Sequence, residues 1–201
     1  MIENKKTPID PRILRTRQLI KNALVELLGE MDIKKITVNR LAERATINRV
    51  TFYLHYRDIP DMLEKMADEM IEEFSIVINN TPAEGHASPG GGNWKILENI
   101  LEHIAKNGNF YKIILSSKQI PIFRDRLLTF LKDMIVTKID ESKSHPYLLA
   151  QGIKVDILIW YNSSALIGTI ISWLQNDMPY TPAFLTQQFS LLHLRGLNRE
   201  S

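Results

Sequence analysis

The chain has 201 residues, 44% of them apolar and 24% charged, which bounds it to one large or two small soluble globular domains. Its net charge of +2 hides an asymmetry: residues 1–57 hold twelve Lys/Arg against six Asp/Glu (+6), and the remainder holds thirteen against seventeen (−4). Cysteine is absent, which excludes disulfides, cysteine-based metal sites and cysteine nucleophiles.

Residues 1–10 are polar, and the opening MIENKKTPIDPR has no apolar signal-peptide core, so a cytoplasmic location is expected. Pro11 opens a helical pattern that runs to about Gly29, with Thr16, Ile20, Ala23, Leu24, Leu27 and Leu28 as its buried stripe. Arg12, Arg15 and Arg17 crowd its first turns, where cations are unfavourable next to the free backbone N–H groups. A phosphate would relieve that cost, which makes them candidate contacts to a DNA backbone. Lys34 and Lys35 follow in a short loop.

The stretch TVNRLAERATINRVTFYLHY, residues 37–56, reads as two short helices and a tight turn. The Thr37 hydroxyl can cap the first by accepting a hydrogen bond from a backbone N–H of the first turn. Val38, Leu41, Ala42 and Ala45 then make one apolar stripe. Asn48 can cap the second helix, on which Phe52 and Tyr56 share a face that packs back on the first. Its other faces carry Arg49, Thr51, Tyr53 and His55, donors of the kind that grip phosphates and base edges. This is the pattern of a helix-turn-helix, whose second helix enters the major groove. An ordinary helical hairpin with a polar outer face has the same periodicity; the flanking basic residues favour nucleic acid.

Asp58 and Asp61 resemble a capping box at the start of a fourth helix, from about Ile59 to Ile78, with Met62, Met66, Met70, Phe74 and Val77 near one face. Residues 79–93 are rich in Pro, Gly and Asn and read as a loop. A fifth helix is expected over Trp94–Lys106, ended by Gly108, and a sixth over Phe110–Ser116. A seventh spans about Pro121–Ile139, an eighth runs from Pro146 or Tyr147 to Asn176, and a ninth covers Ala183–Leu197. No stretch alternates as a strand would, so the fold class is all-α. Ile157–Leu174 is 18 residues without a charge, but its Asn, Ser and Thr content and missing flanking basic clusters argue against a membrane span. Ser164, Gly168 and Ser172 give it a small-residue face suited to the approach of another helix, as in an oligomer interface.

Residues 12–63 resemble the DNA-binding domain of the TetR family of bacterial transcription regulators. The resemblance lies in LVELLGEMDIKKITV followed by NRLAERATINRVTFYLHY, above all Thr-Phe-Tyr-x-His-Tyr at 51–56. Tyr161–Leu174, with Gly168 and Trp173, is similar to a C-terminal domain of one branch of that family. The resemblance implies an all-helical homodimer whose three N-terminal helices bind DNA. It divides the chain into a DNA-binding domain at 1–58 and a dimerisation and effector-sensing domain at 59–201. Carried over by position, Thr37, Asn39, Tyr53 and His55 would contact phosphates, while Arg49, Val50, Thr51 and Leu54 would face the groove. Two positions depart from the family pattern. Thr46 stands where glycine is common, so a different turn geometry is expected there, and Ile59 replaces a phosphate-binding lysine.

Effector-pocket candidates are the apolar and aromatic residues of helices five to eight: Phe110, Tyr111, Ile114, Phe123, Leu127, Phe130, Leu131, Met134, Trp160 and Tyr161. Ordinary core packing is the simpler role for any one of them. No hydrolase, metalloprotease or dinucleotide motif occurs, so no enzymatic activity and no cofactor are expected. The five histidines are scattered, so no metal site is expected either. The expected partners are double-stranded DNA, a second copy of the chain and a small-molecule effector, with no membrane; control by a partner protein is the alternative.

Overall fold

The structure is a computed structural model that describes residues 10–81, 94–142 and 152–195. Its helices are α1 (Pro11–Glu30), α2 (Val38–Arg44), α3 (Arg49–Tyr53), α4 (Ile59–Asn79), α5 (Trp94–Lys106), α6 (Gly108–Ser116), α7 (Pro121–Ser142), α8 (Val155–Gln175) and α9 (Pro182–Arg195). A 3-10 turn, Ile33–Lys35, precedes α2. No strand occurs among the described residues. The chain forms two compact units, divided between Lys65 and Met66.

In the N-terminal unit each helix starts on a side-chain cap. Asp10 accepts from the Arg12 N–H at 2.8 Å, Thr37 Oγ1 from the Arg40 N–H at 3.3 Å, and Asn48 Oδ1 from the Val50 N–H at 2.8 Å. Each supplies an acceptor to an N–H that has no partner within its helix. The core joins Ile20, Ala23, Leu24 and Leu27 of α1 to Leu41 and Ala42 of α2 and Phe52 of α3, all buried. Tyr56 is buried beside Phe52, with ring centroids 5.6 Å apart.

The turn between α2 and α3 departs from expectation. Thr46 adopts φ 55°, the left-handed conformation that its β-branched side chain disfavours. Two hydrogen bonds hold it there: Thr46 N–H donates to the Glu43 carbonyl at 3.1 Å and Ile47 N–H to the Ala42 carbonyl at 2.9 Å. This pair satisfies carbonyls that the end of α2 would otherwise leave open, the closure usually built around glycine.

Helix α4 begins at a carboxylate pair. Asp58 accepts from the Asp61 N–H at 2.8 Å, and Asp61 accepts from the Arg57 N–H at 2.9 Å and pairs with Lys65 at 2.9 Å. Those hydrogen bonds, that of the Arg57 backbone first, hold the Asp61 carboxyl below its ordinary range. Met62, Met66, Met70 and Phe74 line the buried face of α4, four residues apart as helical periodicity requires.

In the C-terminal unit α7 packs along α8, α5 along α9, and α6 against both α7 and α8. The core runs through Ile100, Leu101 and Ile104 of α5, Tyr111 and Ile114 of α6, Phe123, Leu127 and Leu131 of α7, and Ile170 and Leu174 of α8. Gly108, expected to end α5, instead begins α6. The end of the Met178 side chain lies over it: a Cβ at Gly108 would stand 2.5 Å from Met178 Cε, so that flexible side chain would have to shift. Helix α8 starts later than expected, because Gly152 takes φ 84° and Lys154 is extended. The expected starts at Pro146 or Tyr147, most of the 79–93 loop and the last residues of the ninth helix lie outside the described residues.

Candidate nucleic-acid interface

The polar face of the N-terminal unit is built on α3 and the residues around it. Arg49 and Tyr53, four apart, meet on one side of the helix. Arg49 Nη2 donates to Tyr53 Oη at 3.1 Å, and the guanidinium carbon lies 5.4 Å from the centre of the Tyr53 ring. The cation is thereby held over an aromatic face and pre-oriented. The sequence treats these two as separate contacts; their spacing of four was the signal for the couple.

Val50 and Leu54 occupy the neighbouring stripe and are 66% and 77% exposed. Thr51 is half-buried, and Thr37, Asn39 and Arg15 are exposed. His55 is half-buried, and its backbone carbonyl accepts from Lys65 Nζ at 3.1 Å. Burial and, to a lesser extent, the nearby Arg17 charge lower the His55 imidazole below its ordinary value, so it is neutral at pH 7. A neutral imidazole still donates one N–H to a phosphate oxygen.

The positive charge of this unit is not all available. Arg44 forms a fork with Glu30 (2.8 and 2.7 Å) and reaches Glu26 at 3.3 Å, which ties α2 to α1. The hydrogen bonds from Arg44 lower the Glu30 carboxyl. Arg40 Nη1 donates to the Lys35 carbonyl at 2.6 Å, bracing the 3-10 turn against α2.

In the C-terminal unit Phe110, Tyr111, Ile114, Phe123, Leu127 and Leu131 are buried together, with Phe130 and Met134 half-buried beside them. Tyr111 stacks on Phe74 at 5.8 Å and meets Phe110 edge-on at 5.2 Å. Its hydroxyl is buried with no hydrogen-bond partner among the described residues, and that burial raises its pKa above the ordinary tyrosine value. Trp160 and Tyr161, read from sequence as pocket lining, lie elsewhere: they are 58% and 70% exposed on the outer face of α8. Their aromatic character suggested an interior that the helix register does not give them. Ser164, Gly168 and Ser172 continue that exposed face, and a Cβ at Gly168 would meet nothing within 4 Å. By length and composition α8 could also cross a bilayer, a test that the core helix of a soluble protein passes too. No group of three or more metal-ligating side chains occurs among the described residues.

Residues 92–193 match the model of a transcriptional regulator C-terminal region. An uncharacterized HTH-type transcriptional regulator of Bacillus subtilis (strain 168), YxbF, is 22% identical over 169 residues, covering 84% of this chain and 42% of its own length. The chain therefore spans less than half of that relative. Among solved structures, the fatty acid degradation regulator FadR from Bacillus halodurans aligns with a TM-score of 0.68 at 16% identity, over 96% of this chain and 100% of that one. A TetR transcriptional regulator from Streptococcus agalactiae 2603V aligns at 0.63 and 24% identity, over 90% and 95%. At these identities the structural likeness is one of fold.

Proposed function

The chain belongs to the TetR family of transcriptional regulators, and from that membership we propose that it binds a palindromic DNA operator as a homodimer, acting as a repressor whose DNA affinity an effector in its C-terminal unit controls. The observation that carries this reading is the α3 face. Five exposed or half-exposed side chains, Arg49, Val50, Thr51, Tyr53 and Leu54, project from a helix capped at its start and backed by the buried Phe52. Thr37, Asn39, His55 and Arg15 would hold phosphates on either side of it. In this reading residues 1–58 bind DNA and 59–201 dimerise and sense the effector.

The dimer would form through α8 and α9. Trp160, Tyr161, Phe184 and Leu192 are exposed in the single chain, and the open side of Gly168 leaves room for a partner helix. A two-fold dimer can place its recognition helices in successive major grooves only when they lie roughly 34–36 Å apart. Control would act on that separation through α4, which is continuous across the boundary between the two units. A coupling of about 3 kcal/mol would weaken DNA binding by over a hundredfold. The buried aromatic group around Tyr111 is where we place the effector.

Selection of bound fragments from genomic DNA, followed by footprinting, tests the reading. A protected palindrome is expected; uniform, sequence-indifferent coating would overturn it. Sedimentation of Gly168→Leu tests the interface: the variant should be a folded monomer, and a variant that stays dimeric removes this face from the interface.

A further inference from the structure

Val50 and Leu54 are the feature of the α3 face that phosphate contacts leave unexplained. They sit four residues apart on one stripe, and Leu54, at 77%, is the most exposed of the large apolar side chains described. Neither can donate or accept a hydrogen bond, so neither gains anything from a phosphate or a polar base edge. Both lose by standing in water. The β-branched Val50 is also stiff about its first side-chain torsion, so little freedom is lost when it docks.

Resting on the DNA-binding reading above, we propose that Val50 and Leu54 read the 5-methyl groups of two thymines in each half-site, so that the operator is specified in part by apolar contact. In the major groove the apolar group that a base pair offers is the thymine methyl; the other edges present donors and acceptors. The two side chains are separated by about 6 Å along the helix, the rise of four residues. Successive base pairs are about 3.4 Å apart, so the two methyls lie one to two base steps from each other. Arg49 is held by Tyr53 on the adjoining stripe, which leaves the Val50–Leu54 stripe as a dry strip beside a polar one.

Selection of the full-length protein against a random duplex pool gives the site, and deoxyuridine substitution then removes one methyl at a time and nothing else. Two thymine positions in a half-site should each lose binding roughly three- to tenfold on substitution by deoxyuridine, the order expected for one buried methyl group. Val50→Ala should abolish the deoxyuridine penalty at one of these positions and Leu54→Ala at the other, with the salt dependence of binding unchanged. At such a position, replacing T·A by C·G should weaken binding, and 5-methylcytosine should restore part of it. Both side chains lie outside the core, so neither truncation threatens the fold. An enriched site whose thymines all tolerate deoxyuridine, or whose penalties persist in both alanine variants, overturns the inference while leaving the DNA-binding reading standing. A pool with no enriched sequence overturns both.

Discussion

The Ile47 N–H donates to the Ala42 carbonyl at 2.9 Å, closing the end of α2 across a threonine held at φ 55°. The closure satisfies backbone groups but confines a β-branched side chain to a conformation that glycine adopts freely. Thr46→Gly should therefore stabilise the protein, by about 1 kcal/mol. Thr46→Val keeps the branch and should give no gain. Thermal unfolding of both variants checks this, and a lower midpoint for Thr46→Gly would show that the threonine makes contacts outweighing its strain.

Arginines that look alike in the sequence should behave differently on DNA. Arg15 is exposed on the first turns of α1, and Arg15→Ala should weaken binding to all sequences while reducing the salt slope by about 1. Arg44 is already held by Glu30 and Glu26, so Arg44→Ala should leave the slope unchanged. Its effect on stability should be small, as for a largely solvated pair. Salt titrations of the two variants side by side decide it; equal slopes would sink the distinction.

His55 makes stability fall on the acid side of neutrality. Its folded pKa lies below its ordinary value of about 6.5, chiefly through burial and secondarily through Arg17. Above that ordinary value the ring is neutral in both folded and unfolded chains and contributes nothing. As pH drops through it, the unfolded chain takes up the proton first, so the penalty on folding grows until the folded pKa is reached and stays constant below it. Arg17→Ala should raise the folded value part of the way and shrink the penalty. NMR titration of the His55 ring reads this directly, and a ring titrating at or above its ordinary value would refute it.

Tyr111→Phe should raise, or at least not lower, the stability of the ligand-free protein. The hydroxyl it removes is buried without a partner among the described residues, and such a group costs on the order of 1 kcal/mol. The ring itself remains stacked on Phe74. Chemical denaturation of wild type and variant measures the difference; a loss beyond about 1 kcal/mol would mean that the hydroxyl makes a bond through ordered water.

Local signals were legible where they depended on neighbours in sequence. The caps at Thr37 and Asn48, the Asp58–Asp61 pair and the apolar stripe of α4 all follow from residues within four positions. Around Gly108 the end of α5 at Lys106 was legible, but the start of α6 at Gly108 itself, two residues before Phe110, was not, because glycine weakens any helix pattern it opens. The other misreadings came where a distant partner decides. Trp160 and Tyr161 read as interior because α8 is apolar nearly all round, which hides which side faces its own subunit. Arg44 counted towards a basic face because Glu30 lies fourteen residues away.

The corner between α8 and α9 carries a consequence for folding order. Asp177 and Met178 hold φ 58° and 53° in succession, with neither position a glycine. Two local bonds close the corner, Asp177 N–H to the Leu174 carbonyl at 3.1 Å and Met178 N–H to the Trp173 carbonyl at 2.9 Å, and two contacts with α6 add to them: Asp177 pairs with Lys112 at 2.6 Å, and Met178 lies over Gly108. Two successive non-glycine residues at positive φ offset part of what those local bonds contribute, so the corner should gain its full stability when α6 is in place, late on the route to the native state. Substitutions at 177 and 178 would then speed unfolding and leave the refolding rate nearly unchanged. The corner would act as a kinetic latch of its unit.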